Sequence, residues 1–352
     1  MEIVCALDVH RRQITTKTID LETGEVRRGR ISPAAREPVR DWLARFAGRD
    51  AEFALEGTTG WRFVCEEIER AGQGAHLADP AETAARRGRK KRAKTDNADC
   101  DLMLDLLLSK RLPESWIPPA QILELRTRVR ARKALLDERT GWQQRLQAQL
   151  FHQGVPPGIK LRTNAGRAAL AQADLSPAGR ELVALGLRVV GVLDAEIAAL
   201  DRVLHAFARR QPACQALIAA LYGVGPLVST AILAELGDCR RFASSDDAVR
   251  HCGLDITVFE SDRKRAAGRL SHEGPGLLRW ALFEAAQAAS RTASPDHPYY
   301  LQVKARLDHN RACFSVARKH CRRAHHILRE LGDQALAPVD APLTAQEPAQ
   351  AA

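Results

Sequence analysis

The sequence is poor in aromatic residues, which make up only 5% of its 352 positions. Binding single strands by stacking needs many aromatic faces, so it is not the dominant theme of this chain. The eight cysteines are scattered without a C-x-x-C pair, which argues against zinc ligation and a disulfide framework and fits a reducing compartment. There is no apolar run approaching the ~20 residues that cross a bilayer. Met1-Glu2-Ile3-Val4 lacks the basic start of a signal peptide, so a cytoplasmic protein without a membrane partner is expected. Finally, no G-x-G-x-x-G follows the first strand, which removes the doubly wound dinucleotide fold.

Basic residues are plentiful: 53 Lys and Arg against 43 Asp and Glu give a net charge of +10. Such a balance points towards a polyanion. Its distribution is uneven, with residues 1–85 at −3, 86–112 at +5, 113–212 at +6, 213–290 at −1 and 291–330 at +6. Near-neutral or acidic modules alternate with basic segments, the pattern expected if the modules hold chemistry and the segments hold nucleic acid.

The first 112 residues read as an α/β module. Ile3–Val9, Ile14–Ile19 and Val26–Ile31 have strand composition and are separated by polar turns. A helix over 34–47, a strand over 51–55, a helix over 61–71, a strand over 75–78 and helices over 80–88 and 97–110 follow. A three-strand meander followed by βα alternation is the order of the ribonuclease H-like fold. Pro113, Pro118 and Pro119 mark a boundary. Over 113–212, Ile122 to Leu150 and then Leu182, Leu185, Val189, Leu193, Ile197, Leu200, Leu204 and Phe207 keep helical spacing, predicting a helical hairpin or coiled coil. Residues 213–330 read as a mostly helical module, and 331–352, rich in Ala, Pro and Gln, as a disordered tail.

Within the first module, Asp8 ends an apolar strand and Glu56 ends another, positions where a buried carboxylate is costly unless compensated. Asp96 and Asp99 lie three apart at a helix start, hence on one face. Each alone has an ordinary explanation as a turn former or helix cap. Together they form a hard-oxygen set suited to Mg²⁺ or Mn²⁺ and to phosphodiester displacement.

Three blocks carry a resemblance: Ala6-Leu7-Asp8-Val9-His10, Ala54-Leu55-Glu56-Gly57-Thr58-Thr59-Gly60 and Lys94-Thr95-Asp96-Asn97-Ala98-Asp99. They resemble the DEDD insertion-sequence transposases, the family of Piv-type invertases and bridge-RNA-guided recombinases. The resemblance implies a RuvC-like N-terminal domain with Asp8, Glu56, Asp96 and Asp99 as the metal-binding catalytic tetrad, and it does not implicate Asp101 or Asp105. Further on, Leu221-Tyr222-Gly223-Val224-Gly225-Pro226 looks like a helix-hairpin-helix element whose Gly223 and Gly225 would bring backbone N–H groups to phosphate. Cys252-Gly253-Leu254 through Phe259-Glu260-Ser261, with Gly268-Arg269-Leu270-Ser271, is similar to the family's transposase domain. The resemblance makes Ser261 the nucleophile, with Arg263, Lys264 and Arg265 beside it. The family usually has Gly after this serine and here the residue is Asp262; Asp255-Ile256 stands where a proline is common, and Ser271 is the fallback.

Arg86, Arg87, Arg89, Lys90, Lys91, Arg92 and Lys94 place seven basic residues in nine immediately before Asp96, suited to a phosphate backbone. Lys319, Arg322 and Arg323 suggest a second basic surface. The reading is a DNA recombinase acting on element ends and a target in the cytoplasm, on the nucleoid. The resemblance further implies a structured guide RNA and assembly into a dimer or tetramer. Two alternatives stay open: a RuvC-like structure-specific endonuclease using metal-activated water, and a non-catalytic nucleic-acid-binding relative.

Overall fold

Alternation of side chains builds the N-terminal sheet. In a computed structural model, β1 (Ile3–Val9) pairs antiparallel with β2 (Ile14–Asp20), and β2 pairs antiparallel with β3 (Val26–Ile31). After α1 (Arg36–Leu43), β4 (Ala51–Glu56) returns parallel to β1; after α2 (Trp61–Arg70), β5 (Gly74–Ala78) lies parallel to β4. The resulting order, β3-β2-β1-β4-β5, is compatible with the ribonuclease H-like fold expected from the element sequence. The structure describes residues 1–86, 96–257, 260–261, 264–265 and 268–339; the side chains of residues 96, 260, 261, 264 and 265 lie outside that description.

Both faces of this sheet are covered, which is why β1 reads as a nearly continuous apolar run. Ile3, Cys5, Leu7 and Val9 point to one side, where Phe53 and Leu55 join Val39, Trp42 and Leu43 of α1 and Val64 and Ile68 of α2. Trp42, Phe46 and Phe53 meet edge to face there, at centroid separations of 4.9, 5.8 and 5.4 Å. Within this layer the buried carboxylate of Glu67 is held by Arg36, Arg40 and Arg70. The guanidiniums of Arg40 and its neighbours outweigh the effect of burial and bring its carboxyl down to about 2. On the other side, Val4, Ala6 and Ala54 pack under Cys100, Met103, Leu104 and Leu107 of a later helix, Asp96–Leu108. In the chain α3 (Pro80–Ala85), capped by Asp79, precedes that helix, so the helix Asp96–Leu108 is α4.

The chain divides into two compact units, Met1–Ile117 and Pro118–Ala352. The second unit is mostly helical. Its long helices α5 (Ala120–His152) and α7 (Pro177–Arg210), with α6 (Asn164–Gln172) between them, form an antiparallel hairpin. Arg139 pairs with Asp194 at 2.9 Å, Arg132 with Asp201, and Leu146 packs against Gly186, so residue numbers run in opposite directions along the seam. The sequence stripe is displaced at one end: Val183, Gly186 and Val190 face the partner helix, while Leu182 and Leu185, expected inside, are exposed. The spacing is helical either way; which neighbour turns inward depends on the small Gly186, which admits Leu146.

The remaining helices, α8 (Pro212–Ala220), α9 (Pro226–Leu236), α10 (Ser245–His251), α11 (Gly276–Gln287), α12 (His297–Lys304) and α13 (His309–Leu331), belong to the same unit as the hairpin. Arg130 of α5 pairs with the buried Glu235 of α9 at 2.8 Å, and Arg126 donates to the Ala234 carbonyl at 2.6 Å. Residues 113–212 and 213–330, separable in sequence, are therefore joined by ion pairs and packing. Order also extends past residue 330, where a disordered tail was expected: α14 (Asp333–Leu336) buries Ala335; residues 340–352 of that tail lie outside the described residues. Among the described residues no helix is long and apolar enough to cross a membrane.

Two glycines of α7 give a test of this packing. A Cβ at Gly186 would stand 2.6 Å from Leu146 Cδ2, whereas nothing lies within 4 Å of one at Gly191. Gly186→Ala is expected to lower stability by about 1–3 kcal/mol through overpacking. Gly191→Ala should raise it by about 0.5–1 kcal/mol through helix propensity. Urea titrations of both variants check the opposite signs.

Candidate active site

The parallel register of β1 and β4 fixes the first pair of carboxylates. Ile3 opposes Ala51 and Leu7 opposes Leu55, so the next step brings Asp8 beside Glu56. Neighbouring strands are about 4.8 Å apart. Both residues follow the side of the sheet that Val4, Ala6 and Ala54 occupy, and α4 covers that side. Asp8 is largely enclosed, with its side chain 15% exposed and its Oδ2 3.1 Å from His10 Nε2. Glu56 is half-buried at the strand end. The chain then turns through Gly57, whose N–H donates to the Ala78 carbonyl at 2.9 Å, to Gly60. Gly60 has φ +98° and a Cβ there would approach Val9 Cγ1 to 3.1 Å, so this return beside β1 favours glycine.

α4 brings its first turn to the same edge. Its inward residues are Cys100, Met103, Leu104 and Leu107, and Asp96 and Asp99 precede Cys100 by four and one positions. Asp99 is half-buried. Cys100 reports the crowding of acids: burial pushes its thiol up to about 12, and the carboxylates of Asp8, Asp101 and Asp99 add to the rise. Its Sγ lies 3.6 Å from the Thr15 carbonyl, and Thr15 is the cross-strand partner of Asp8. Asp101 is engaged elsewhere, by Lys17 of β2, and Asp105 is exposed. Among the described residues, no three His, Cys, Asp or Glu side chains close into a metal-holding group; the side chain of Asp96 lies outside that description. The donor type nevertheless suits a hard divalent cation: the register sets the carboxylates of Asp8 and Glu56 on neighbouring strand ends, and carboxylate oxygen is the ligand such a cation prefers. Thr15 and Cys100 escaped the sequence reading, although the step of four from Asp96 to Cys100 marks a shared helix face.

The second unit carries the other candidates. Gly223 has φ +87°, and a Cβ there would meet the Ala285 carbonyl oxygen at 2.4 Å, so its need for glycine comes from packing on α11. Gly225 is the residue preceding Pro226 at the start of α9. Two short ribbons follow α10: β6 (Ile256–Thr257) with β9 (Arg269–Leu270), and β7 (Glu260–Ser261) with β8 (Lys264–Arg265). Ser261 opposes Lys264 in the latter, and Arg263 lies outside the described residues. The fallback Ser271 donates its hydroxyl to Asp255. Beside the β6–β9 ribbon is a cavity of about 800 Å³ lined by Leu270, His272, Phe314, Arg269 and Arg318 among others.

The basic candidates have different fates. Arg86 donates to the Arg111 carbonyl. Arg87, Arg89, Lys90, Lys91, Arg92 and Lys94 lie outside the described residues. Lys319, Arg322 and Arg323 do not form a free basic surface: Lys319 and Arg323 hold the buried Asp296 at 2.7 and 2.5 Å, and Arg322 pairs with Asp246 at 2.8 Å. Their spacing along α13 put them on one face, but the sequence alone did not show the carboxylates facing them.

Comparisons with known proteins agree on one family. A transposase model of the DEDD IS110 type matches residues 5–153, and the model described as "Transposase IS116/IS110/IS902 family" matches residues 215–301. The chain is 30% identical over 291 residues to "Putative transposase y4rJ" of Sinorhizobium fredii, covering 72% of each protein. It is 31% identical over 99 residues to "Probable family 20 transposase" of Pseudomonas aeruginosa, covering 28% of this chain and 29% of that one. It is 27% identical over 128 residues to an insertion element IS116 protein of Streptomyces clavuligerus, covering 36% and 32%.

Asp296 offers a pH test. Burial pushes its carboxyl up, but Arg323 and Lys319 outweigh this and bring it down to about 2, from an ordinary 3.8. The folded form therefore gives up its proton more readily than the unfolded chain, and the stabilisation is present at neutral pH and lost as pH falls from about 4 through 2. Asp296→Asn is expected to cost about 3 kcal/mol at pH 7, by leaving two cations against an uncharged side chain. The deficit relative to the parent should shrink between pH 4 and pH 2 in denaturant melts; a deficit independent of pH contradicts the ion-pair assignment.

Proposed function

We propose that this chain, which belongs to the IS116/IS110/IS902 family of transposases, cuts and rejoins DNA strands with the carboxylates of its N-terminal unit and a serine of its C-terminal unit. The observation that carries the first half is the register of β1 and β4, which sets Asp8 level with Glu56 on the face that the first turn of α4 covers. Asp8, Glu56, Asp96 and Asp99 hold a divalent cation, Mg²⁺ or Mn²⁺. That cation, when bound, neutralises charge on the scissile phosphate and its oxygens. The protein's own groups do the rest. His10 steadies the Asp8 carboxylate through its 3.1 Å contact, and the start of α4 favours negative charge through its dipole.

Ser261 supplies the attacking oxygen. Its Oγ forms a bond to phosphorus as the bond to one deoxyribose oxygen breaks; the hydroxyl proton passes to solvent or a nearby carboxylate, and the leaving oxygen ends as a sugar hydroxyl. The phosphoserine so formed keeps the energy of the phosphodiester, so a sugar hydroxyl of another strand end can displace Oγ and rejoin DNA without ATP. Support comes from the likeness of the 252–271 block to the family's transposase domain and from the two basic positions of β8 opposite β7. One feature of the sequence favours a second reading, hydrolysis by water: an acidic residue, Asp262, directly follows Ser261 where the family usually has glycine. A structured RNA partner is part of the proposal and rests on the resemblance to guided recombinases and on the basic run 86–94. Assembly with a second copy is supported by the outward-facing Leu182, Leu185 and Val192 of α7.

Asp8→Ala and Glu56→Ala are expected to reduce strand cleavage at least about a thousandfold while the fold persists. Ser261→Ala should also abolish a protein–DNA adduct seen by denaturing electrophoresis and mass spectrometry. Cleavage by Ser261→Ala at the parent rate, without adduct, would establish hydrolysis instead. Unchanged background activity in all three variants would leave a non-catalytic nucleic-acid binder. Sequencing RNA that co-purifies with the protein tests the guide: one discrete structured species is expected, and random cellular RNA contradicts it.

A further inference from the structure

The sheet face that carries Asp8 and Glu56 is electrically lopsided. Across it, at the level of the carboxylates, Arg30 opposes Thr15, Thr15 opposes Asp8, and Glu56 opposes Ala78. One step back along the pleat, Arg28 opposes Lys17, Lys17 opposes Ala6, Ala6 opposes Ala54 and Ala54 opposes His76. The β3 side of the carboxylates is therefore cationic. On the β5 side, among the described residues, His76 lies between Glu52 at 2.8 Å and Glu114 at 2.9 Å.

The turn that follows Asp8 adds two more cations, Arg11 and Arg12, and is tied to the chain leaving β3 by the Ala34 N–H, which donates to the Arg12 carbonyl at 3.2 Å. Arg11, Arg12, Arg28 and Arg30 are all exposed. Several other described cations of this unit are matched: Arg27 by Glu25, Lys17 by Asp101, Arg49 by Asp20, and Arg36, Arg40 and Arg70 by Glu67. Among the described residues, the guanidiniums of Arg11, Arg12, Arg28 and Arg30 have no ion pair or hydrogen bond. β3 is an edge strand, so nothing in the sheet lies beyond Arg28 and Arg30. With strands about 4.8 Å apart, Arg30 stands about 10 Å from Asp8, close enough for consecutive phosphates of one nucleic-acid strand to reach both.

We propose that Arg11, Arg12, Arg28 and Arg30 form a phosphate-binding rim, across which the backbone of a DNA strand reaches the Asp8–Glu56 edge from the β3 side. This rests on the reading of that edge as the DNA-cutting centre, and it fixes a direction of approach that the reading leaves open. Arginine suits the role because its planar fork matches phosphate oxygens and stays charged at every working pH.

The test is binding of a fluorescein-labelled 30-base-pair duplex of arbitrary sequence to the full chain, in EDTA and over a series of salt concentrations. Arg11→Ala/Arg12→Ala and Arg28→Ala/Arg30→Ala are each expected to flatten the slope of log K against log salt by about 1 to 2, and to weaken binding about tenfold at low salt. Arg28→Lys/Arg30→Lys should keep the slope. Arg45→Ala is the control: it is equally exposed and unmatched among the described residues, but follows α1 on the other layer. It should cost little. Thermal melts confirm that the surface variants remain folded. Rim variants that bind no worse than Arg45→Ala overturn the proposal. Glu56→Gln, assayed for binding in EDTA and separately for cleavage of element-end DNA in Mg²⁺, separates the two claims. If the rim variants lose binding while Glu56→Gln still cleaves, the rim stands and the cutting centre is elsewhere; if Glu56→Gln binds but does not cleave and the rim variants bind as the parent, the rim alone falls.

Discussion

Everything proposed for the N-terminal unit depends on one register, the parallel pairing of β1 with β4. Because both faces of the sheet are covered, a slip of β1 by one residue would turn Val4 and Ala6 away from α4 and bring Asp8 to the apolar side that Leu7 and Val9 occupy. The cost of burying a carboxylate on that apolar side locks the register, and the locked register puts Asp8 beside Glu56. The apolar layers thus do more than hold the sheet together. They oblige two acids to share an edge, and they leave α4 one place to set its own acidic first turn.

Concentrating carboxylates at one edge has an electrostatic consequence. The Cys100 thiol is pushed up by burial and by the acids around it. Lys17 pairs with Asp101, and His10 Nε2 lies 3.1 Å from the Asp8 carboxylate. Under the proposal, a divalent cation brings further positive charge to this edge. The second unit handles charge the other way: Asp296 and Glu235 are buried and matched by guanidiniums or an ammonium from neighbouring helices. There, charges pin helices together, and cations that look available in sequence are already committed.

Much of the N-terminal fold was legible because its strands are short, apolar and bounded by turn residues; Ile3–Val9 and Val26–Ile31 end where the sequence said they would. Asp8, Glu56 and Asp99 were legible as acids at strand and helix ends. Other features needed three dimensions. The inward stripe of α7 starts at Val183 and not Leu182, a choice made by Gly186 against Leu146. Lys319 and Arg323 read as a surface because Asp296, 23 and 27 residues away, is invisible to local pattern. Arg28 and Arg30 read as an ordinary polar strand until the pairing of β3 with β2 put them on the carboxylate side. Local spacing reveals faces of elements; which faces meet is settled by packing.

The central claim is that Asp8, Glu56 and the first turn of α4 hold one divalent cation, and iron-directed cleavage of the polypeptide tests it most directly. Fe²⁺ substituted for Mg²⁺ generates hydroxyl radicals, with ascorbate and peroxide, that cut the chain within a few ångströms of the bound ion. Cuts near Asp8, near Glu56 and near Asp96–Asp99, competed by excess Mg²⁺ and absent in Asp8→Asn, are the predicted result. Cuts confined to other segments, or unchanged by Asp8→Asn, would contradict it.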